Sequence, residues 1–125
     1  MILLVCYFAI NASLDVFITG KQVFWMEKDA FDSYMKAGRI AAEVCRKTRT
    51  MLKPGVKMLD VAEFAEDEIR KLGGEPAFPI NISINDLAAH CTPQFNDEKT
   101  IGENDLVKID IGVHVDGYIG DTAFT

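Results

Sequence analysis

An α+β fold, with two amphipathic helices packed on a mainly antiparallel sheet, follows from the order of hydrophobic periods along this chain. Apolar residues recur at three- and four-residue spacing through positions 28–52, and again through 59–72. Later the period shortens to two, and Val107, Ile109, Ile111, Val113 and Val115 form one unbroken apolar stripe. Asp116-Gly117 then marks a hairpin turn before a second run over 118–124. Helices first and antiparallel strands afterwards read as α+β.

The first 25 residues stand apart from this pattern. Met1 to Ile10 is an apolar run without a charge, too short for a bilayer, which takes about 20 residues. It lacks the positive start of a signal peptide, and the Asn11-Ala12-Ser13 triplet has no secreted context to give it meaning. Positions 1–25 are therefore read as an apolar extension produced by a start assigned too early. An extra strand or a membrane-associating leader is the alternative.

From Lys28 the elements follow in order. Phe31, Met35, Ile40, Ala41, Val44, Cys45, Thr48 and Leu52 line one face of a long helix. Lys53-Pro54-Gly55 ends it, because proline disfavours the α region in the residue before it. Val61, Ala62, Ala65, Ile69 and Leu72 give the inner face of a second helix over 59–72, with Gly73-Gly74 as its C-cap. Strands are expected over about 77–83, 88–92, 106–114 and 118–124, with a polar connection over 94–104. No internal repeat occurs.

Composition narrows the function classes. The 125 residues make one ordinary domain, and 49% hydrophobic with 26% charged content fits a globular chain. Thirteen basic against nineteen acidic residues give a net charge of −6, which disfavours binding to a nucleic-acid backbone. Cys6, Cys45 and Cys91 are odd in number and scattered, so they form neither a disulfide framework nor a zinc knuckle. A reducing cytosol fits them. Cys45 belongs to the helix core, and Cys91 beside His90 is not read as a nucleophile pair, since adjacent strand residues point to opposite faces.

The hairpin carries the chemistry. Closing the turn at Asp116-Gly117 sets Val115 opposite Tyr118, Gly112 opposite Asp121 and Asp110 opposite Ala123. Asp110 and Asp121 then share the face away from the apolar stripe, as diagonal neighbours roughly 7–8 Å apart at Cα. Aspartate is depleted in strands, yet two occur here in mid-strand, with small Gly112 and Ala123 leaving room beside them. Two carboxylates so spaced can reach a shared metal ion, although a hydrolytic centre needs more ligands than two. His114, near the turn on the same face, is read as non-catalytic.

At these residues the chain resembles the methionine aminopeptidases, within the wider family that shares the pita-bread fold. Lys108 to Thr125 is similar to that family's first metal-ligand hairpin. Phe78-Pro79-Ile80-Asn81-Ile82-Ser83-Ile84-Asn85 is similar to its substrate-pocket strand, and Ala88-Ala89-His90-Cys91-Thr92-Pro93 to the strand bearing its active-site histidine. The Ala-Ala-His-x-Thr-Pro form resembles the type 2 branch, found in archaea and eukaryotes, although Cys91 stands where that branch usually has tyrosine. The likeness runs from about Met26 onward.

The resemblance implies one half of a pseudo-twofold pita-bread fold, with residues 26–125 as the N-terminal half of a metallo-aminopeptidase catalytic domain. It implies that Asp110 binds one of two divalent ions (Co, Mn, Fe or Zn) and that Asp121 bridges both, the remaining ligands lying outside this chain. His90 would contact the scissile peptide and stabilise the tetrahedral intermediate, and Phe78 would wall the methionine pocket. The implied activity is removal of initiator methionine from nascent proteins, by hydrolysis with a metal-bound hydroxide. The enzyme would be cytoplasmic and monomeric, with no nucleic-acid or membrane partner. Without the other half of the domain, this chain is expected to be inactive by itself. Two other readings stay open: an Xaa-Pro peptidase of the prolidase or aminopeptidase P kind, and a non-catalytic pita-bread relative that binds protein or RNA.

Overall fold

The computed structural model describes residues 26–125 in full, together with the backbone of 16–19 and 22–25. Strands β1 (Val16–Thr19) and β2 (Gln22–Trp25) pair antiparallel as a two-stranded ribbon. The readings of Met1 to Ile10, Cys6 and the Asn11 triplet lie outside the described residues.

Helix α1 spans Lys28–Arg49 and α2 spans Met58–Lys71. The apolar period of α1 buries Ala37, Ile40, Ala41, Val44 and Thr48, and α2 buries Val61, Ala62, Ala65 and Ile69. Helix α2 ends as its glycines predict: Gly73 has φ +81° and donates to the Arg70 carbonyl, while Gly74 donates to Ile69. That pair of bonds is a Schellman cap. The polar connection is pinned rather than loose. Ile101 is buried and exchanges backbone hydrogen bonds with Gly55 and Val56, in the linker between the helices.

The main sheet comprises β3 (Glu75–Pro76), β4 (Asn81–Ile84), β5 (Val107–Val115) and β6 (Tyr118–Phe124), all antiparallel to the central β5. Two strand expectations are corrected here. The strand expected over 77–83 is confined to β4, with β3 a separate two-residue strand before it, and Pro79 between them lacks the N–H that a continuous ladder requires. The strand expected over 88–92 does not form. His90 adopts φ +56°, which interrupts an extended run, and one backbone bond from Ile82 to the Cys91 carbonyl (2.7 Å) ties that segment to β4.

Strand parity divides the sheet into two faces. Ile109, Ile111, Val113 and Val115 of β5 and Ile82 of β4 turn to the helices and are buried. Complete burial of side chains this size contributes about 1.5–3 kcal/mol each. Helix α1 follows β6 from end to end on that face. Tyr34 meets Tyr118 edge to face (5.1 Å between centroids), and the Arg49 guanidinium lies over the Phe124 ring at 4.6 Å. Between these anchors, a Cβ on Gly120 would sit 2.8 Å from the Gly38 nitrogen and 2.9 Å from the Ala37 carbonyl carbon. Backbone cannot yield as a side-chain tip does, so β6 needs glycine there.

An ion-pair cluster links the helices. Nearly buried Glu68 accepts from Lys47 at 2.7 Å and from Lys71 at 2.8 Å, and the Lys47 hydrogen bond, with help from Lys71, holds its carboxyl below the usual glutamate range.

Gly120→Ala is expected to destabilise the fold by about 1–3 kcal/mol, as an overpacking change does. Gly38→Ala meets open space and is expected to stabilise by about 0.5–1 kcal/mol through helix propensity. Chemical denaturation measures both, and equal effects would contradict the close approach. A lowered carboxyl pKa contributes stability that is present above the unfolded pKa and lost as pH falls through the folded one. Glu68→Gln is therefore expected to lower Tm at neutral pH, with the difference from wild type fading below the ordinary glutamate pKa of about 4.3.

Candidate metal and substrate site

The site lies on the sheet face away from the helices, and the hairpin turn builds it. Asp116 and Gly117 have φ +52° and +85°, both positive as a type I′ turn requires. The resulting register pairs Gly112 with Asp121, Asp110 with Ala123 and Val115 with Tyr118, as the sequence predicts. Asp110 and Asp121 therefore share one face.

Their electrostatics agree with that geometry. Burial raises the Asp121 carboxyl above the usual aspartate range, and the charge of Asp110 and a hydrogen bond shared with it push the same way. A backbone hydrogen bond from Thr122 opposes the rise in part.

A cleft of about 300 Å³ opens beside the pair, lined by Phe78, Pro79, Asn81, His90, Thr92, Asp110 and Asp121. That is the lower end of the range for small-ligand pockets, about 300–1,000 Å³. All four residues singled out from the sequence meet there. Asn81 and Thr92 were not singled out, although Asn81 was legible in principle: it is the cross-strand partner of Asp110. Thr92 needs the path of a non-strand segment, which periodicity does not give. His114 lies outside the cleft and accepts from the Gly117 N–H at 3.4 Å, beside the turn.

One expectation about this face is reversed. Gly112 does not leave room beside the aspartates, because the Phe78 ring occupies it. A Cβ on Gly112 would sit 2.2 Å from Phe78 Cε1 and 2.6 Å from Cδ1. The break between β3 and β4 permits this. Ala77 still donates to the Gly112 carbonyl (2.9 Å), and with Pro79 ending the ladder the next side chain folds over the neighbouring strand.

Carboxylate oxygens suit a divalent cation, whose charge would relieve the repulsion within the pair. Among the described residues, no cluster of three or more His, Cys, Asp or Glu forms. The pair alone would offer a cation only part of a donor set.

A model of metallopeptidase family M24 matches residues 32–125. The chain belongs to this family. Over 100 residues it is 54% identical to the methionine aminopeptidase of Methanocaldococcus jannaschii, covering 80% of this chain and 34% of that one. Over 94 residues it is 55% identical to the methionine aminopeptidase of Methanothermus fervidus, covering 75% and 50%. Among solved structures, a methionine aminopeptidase from Thermotoga maritima aligns with TM-score 0.73 at 28% identity, over 78% of this chain and 42% of that chain. The prolidase of Pyrococcus furiosus aligns with TM-score 0.65 at 24% identity, over 78% and 30%, and speaks for the fold alone. The M24 chain thus has the pita-bread architecture and spans a third to a half of the curated relatives it matches. Membership of a metallopeptidase family carries dependence on a divalent metal. Among the described residues, no helix is long and apolar enough to cross a membrane.

Replacing Asp110 by Asn removes one of the causes that raise Asp121. Asp121 is then expected to titrate lower than in wild type. Carbon-13 NMR of the carboxyl reads this directly, and an unchanged titration would mean that the two groups do not face each other. A raised carboxyl pKa costs stability above that pKa, so Asp121→Asn is expected to stabilise the metal-free chain at neutral pH. Gly112→Ala is expected to drive the Phe78 ring from its seat, so that the Phe78 ring resonances move while those of Phe124 stay.

Proposed function

We propose that residues 26–125 are the N-terminal half of the catalytic domain of a methionyl aminopeptidase, which removes initiator methionine from nascent proteins in the cytosol. One observation carries the reading: the hairpin register places Asp110 and Asp121 on the same face of paired strands, where Asp110 helps burial to raise the Asp121 carboxyl. In this reading both would serve as oxygen donors to divalent ions, and the other half of the domain would supply the remaining ligands. When bound, such ions lower the pKa of water toward ~7 and polarise a carbonyl.

This chain's own residues do the rest. The Phe78 ring, seated on Gly112, is an apolar wall for the methionine side chain. His90, at the rim of the cleft, donates a hydrogen bond to the scissile carbonyl oxygen as that oxygen gains charge. The substrate is a peptide N-terminus, the enzyme acts as a monomer, and neither nucleic acid nor membrane is involved. Methionine aminopeptidase is the name carried by the relatives at about half identity, which favours this reading over an Xaa-Pro peptidase.

Release of methionine from Met-Ala-Ser, with added Mn or Co, tests the proposal. The full-length protein is expected to turn over, this 125-residue chain alone is not, and Asp121→Asn is expected to remove most turnover in the full-length enzyme, because it deletes a carboxylate donor. Preference for Xaa-Pro peptides would transfer the site to the prolidase class, and no hydrolysis of either by the metal-loaded protein would contradict the assignment.

A further inference from the structure

We propose that Thr92 is a positioning residue, whose hydrogen bond to Asn81 holds the His90 segment over the aspartate pair. The segment needs such a tie. His90 has φ +56°, a left-handed conformation that a residue with a side chain keeps only where its surroundings impose it. Residues 87–90 are exposed, and among the described residues the His90 imidazole has no hydrogen-bond partner. No strand ladder fixes its backbone.

Two adjacent bonds do. The Ile82 N–H donates to the Cys91 carbonyl at 2.7 Å, and one residue along on both sides the Thr92 hydroxyl donates to Asn81 Oδ1 at 2.9 Å. Asn81 is itself registered directly opposite Asp110 on β5. Position therefore passes from the strand bearing Asp110, through Asn81 and Thr92, to the residue two before Thr92. The bond is partly buried, so water competes with it less than at an open surface. One backbone bond alone would leave the segment free to pivot about Cys91, and the second contact removes that freedom. Both partners line the same cleft as His90, Asp110 and Asp121.

The test has two independent readouts in the full-length protein, with Thr92→Val removing the hydroxyl at nearly constant volume and Thr92→Ser keeping it. The first is amide hydrogen exchange at Ile82, which reports whether the segment stays docked and requires no activity. Thr92→Val is expected to accelerate it about tenfold, the scale of one lost hydrogen bond, while Thr92→Ser leaves it near wild type. Asn81→Ala, which removes the acceptor from the other side, is expected to match Thr92→Val and serves if that variant does not fold. The second readout rests on the aminopeptidase reading. Thr92→Val is expected to lower kcat about tenfold with KM little changed, and to have no further effect in a His90→Ala background, because it acts through His90. Unchanged exchange at Ile82 overturns the tie. Additive losses in the double variant overturn its action through His90. A protein that hydrolyses no Met-peptide, yet shows the exchange changes, refutes the aminopeptidase reading and leaves the tie standing.

Discussion

The site depends on the register between two strands. Because side chains alternate faces, a slip of one residue between β5 and β6 would carry Asp121 to the helix side and Thr122 to the cleft side. The Asp116-Gly117 turn forbids that slip, since both its positive φ angles belong to a two-residue loop that fixes which residues pair. The apolar stripe of β5 acts in the same direction. Burying Ile109, Ile111 and Val113 against the helices leaves Asp110 only the other face.

The two faces of the sheet answer to different demands. Toward the helices the packing is tight enough that β6 meets α1 backbone to backbone at Gly120 and Gly38, between the Tyr34–Tyr118 and Arg49–Phe124 contacts. Toward the cleft the residues are mostly polar, with the Phe78 ring seated on Gly112, and the charge of Asp110 adds to burial in raising the Asp121 carboxyl. A carboxyl raised in this way costs stability at neutral pH, and a bound cation would offset that cost. The rigid face thus supports the cleft face.

Much of this was legible in the residues. The hairpin register, the shared face of Asp110 and Asp121, both helices and the C-cap of α2 all follow from local rules of period and turn chemistry, and all are observed. What periodicity missed lies where the chain leaves regular structure. Pro79 was present in the sequence, yet its effect on the edge between β3 and β4 depends on which N–H groups must face β5. The seating of Phe78 on Gly112 is a tertiary contact between residues 34 apart in sequence, so a glycine read as open space proved to be filled. Likewise, Ala88 to Thr92 alternates in no way that betrays the left-handed turn at His90.

On the proposed reading a divalent ion is held by the hairpin pair rather than by the chain's other acidic groups. Paramagnetic broadening by substoichiometric Mn, read in the NMR spectrum of the full-length protein, tests it most directly. The account predicts that signals of Asp110, Gly112 and Asp121 broaden first, while those around Glu43 and Glu68 between the helices remain sharp. Broadening that begins at the helix cluster or at Asp97 and Glu98, with the hairpin unaffected, would contradict it.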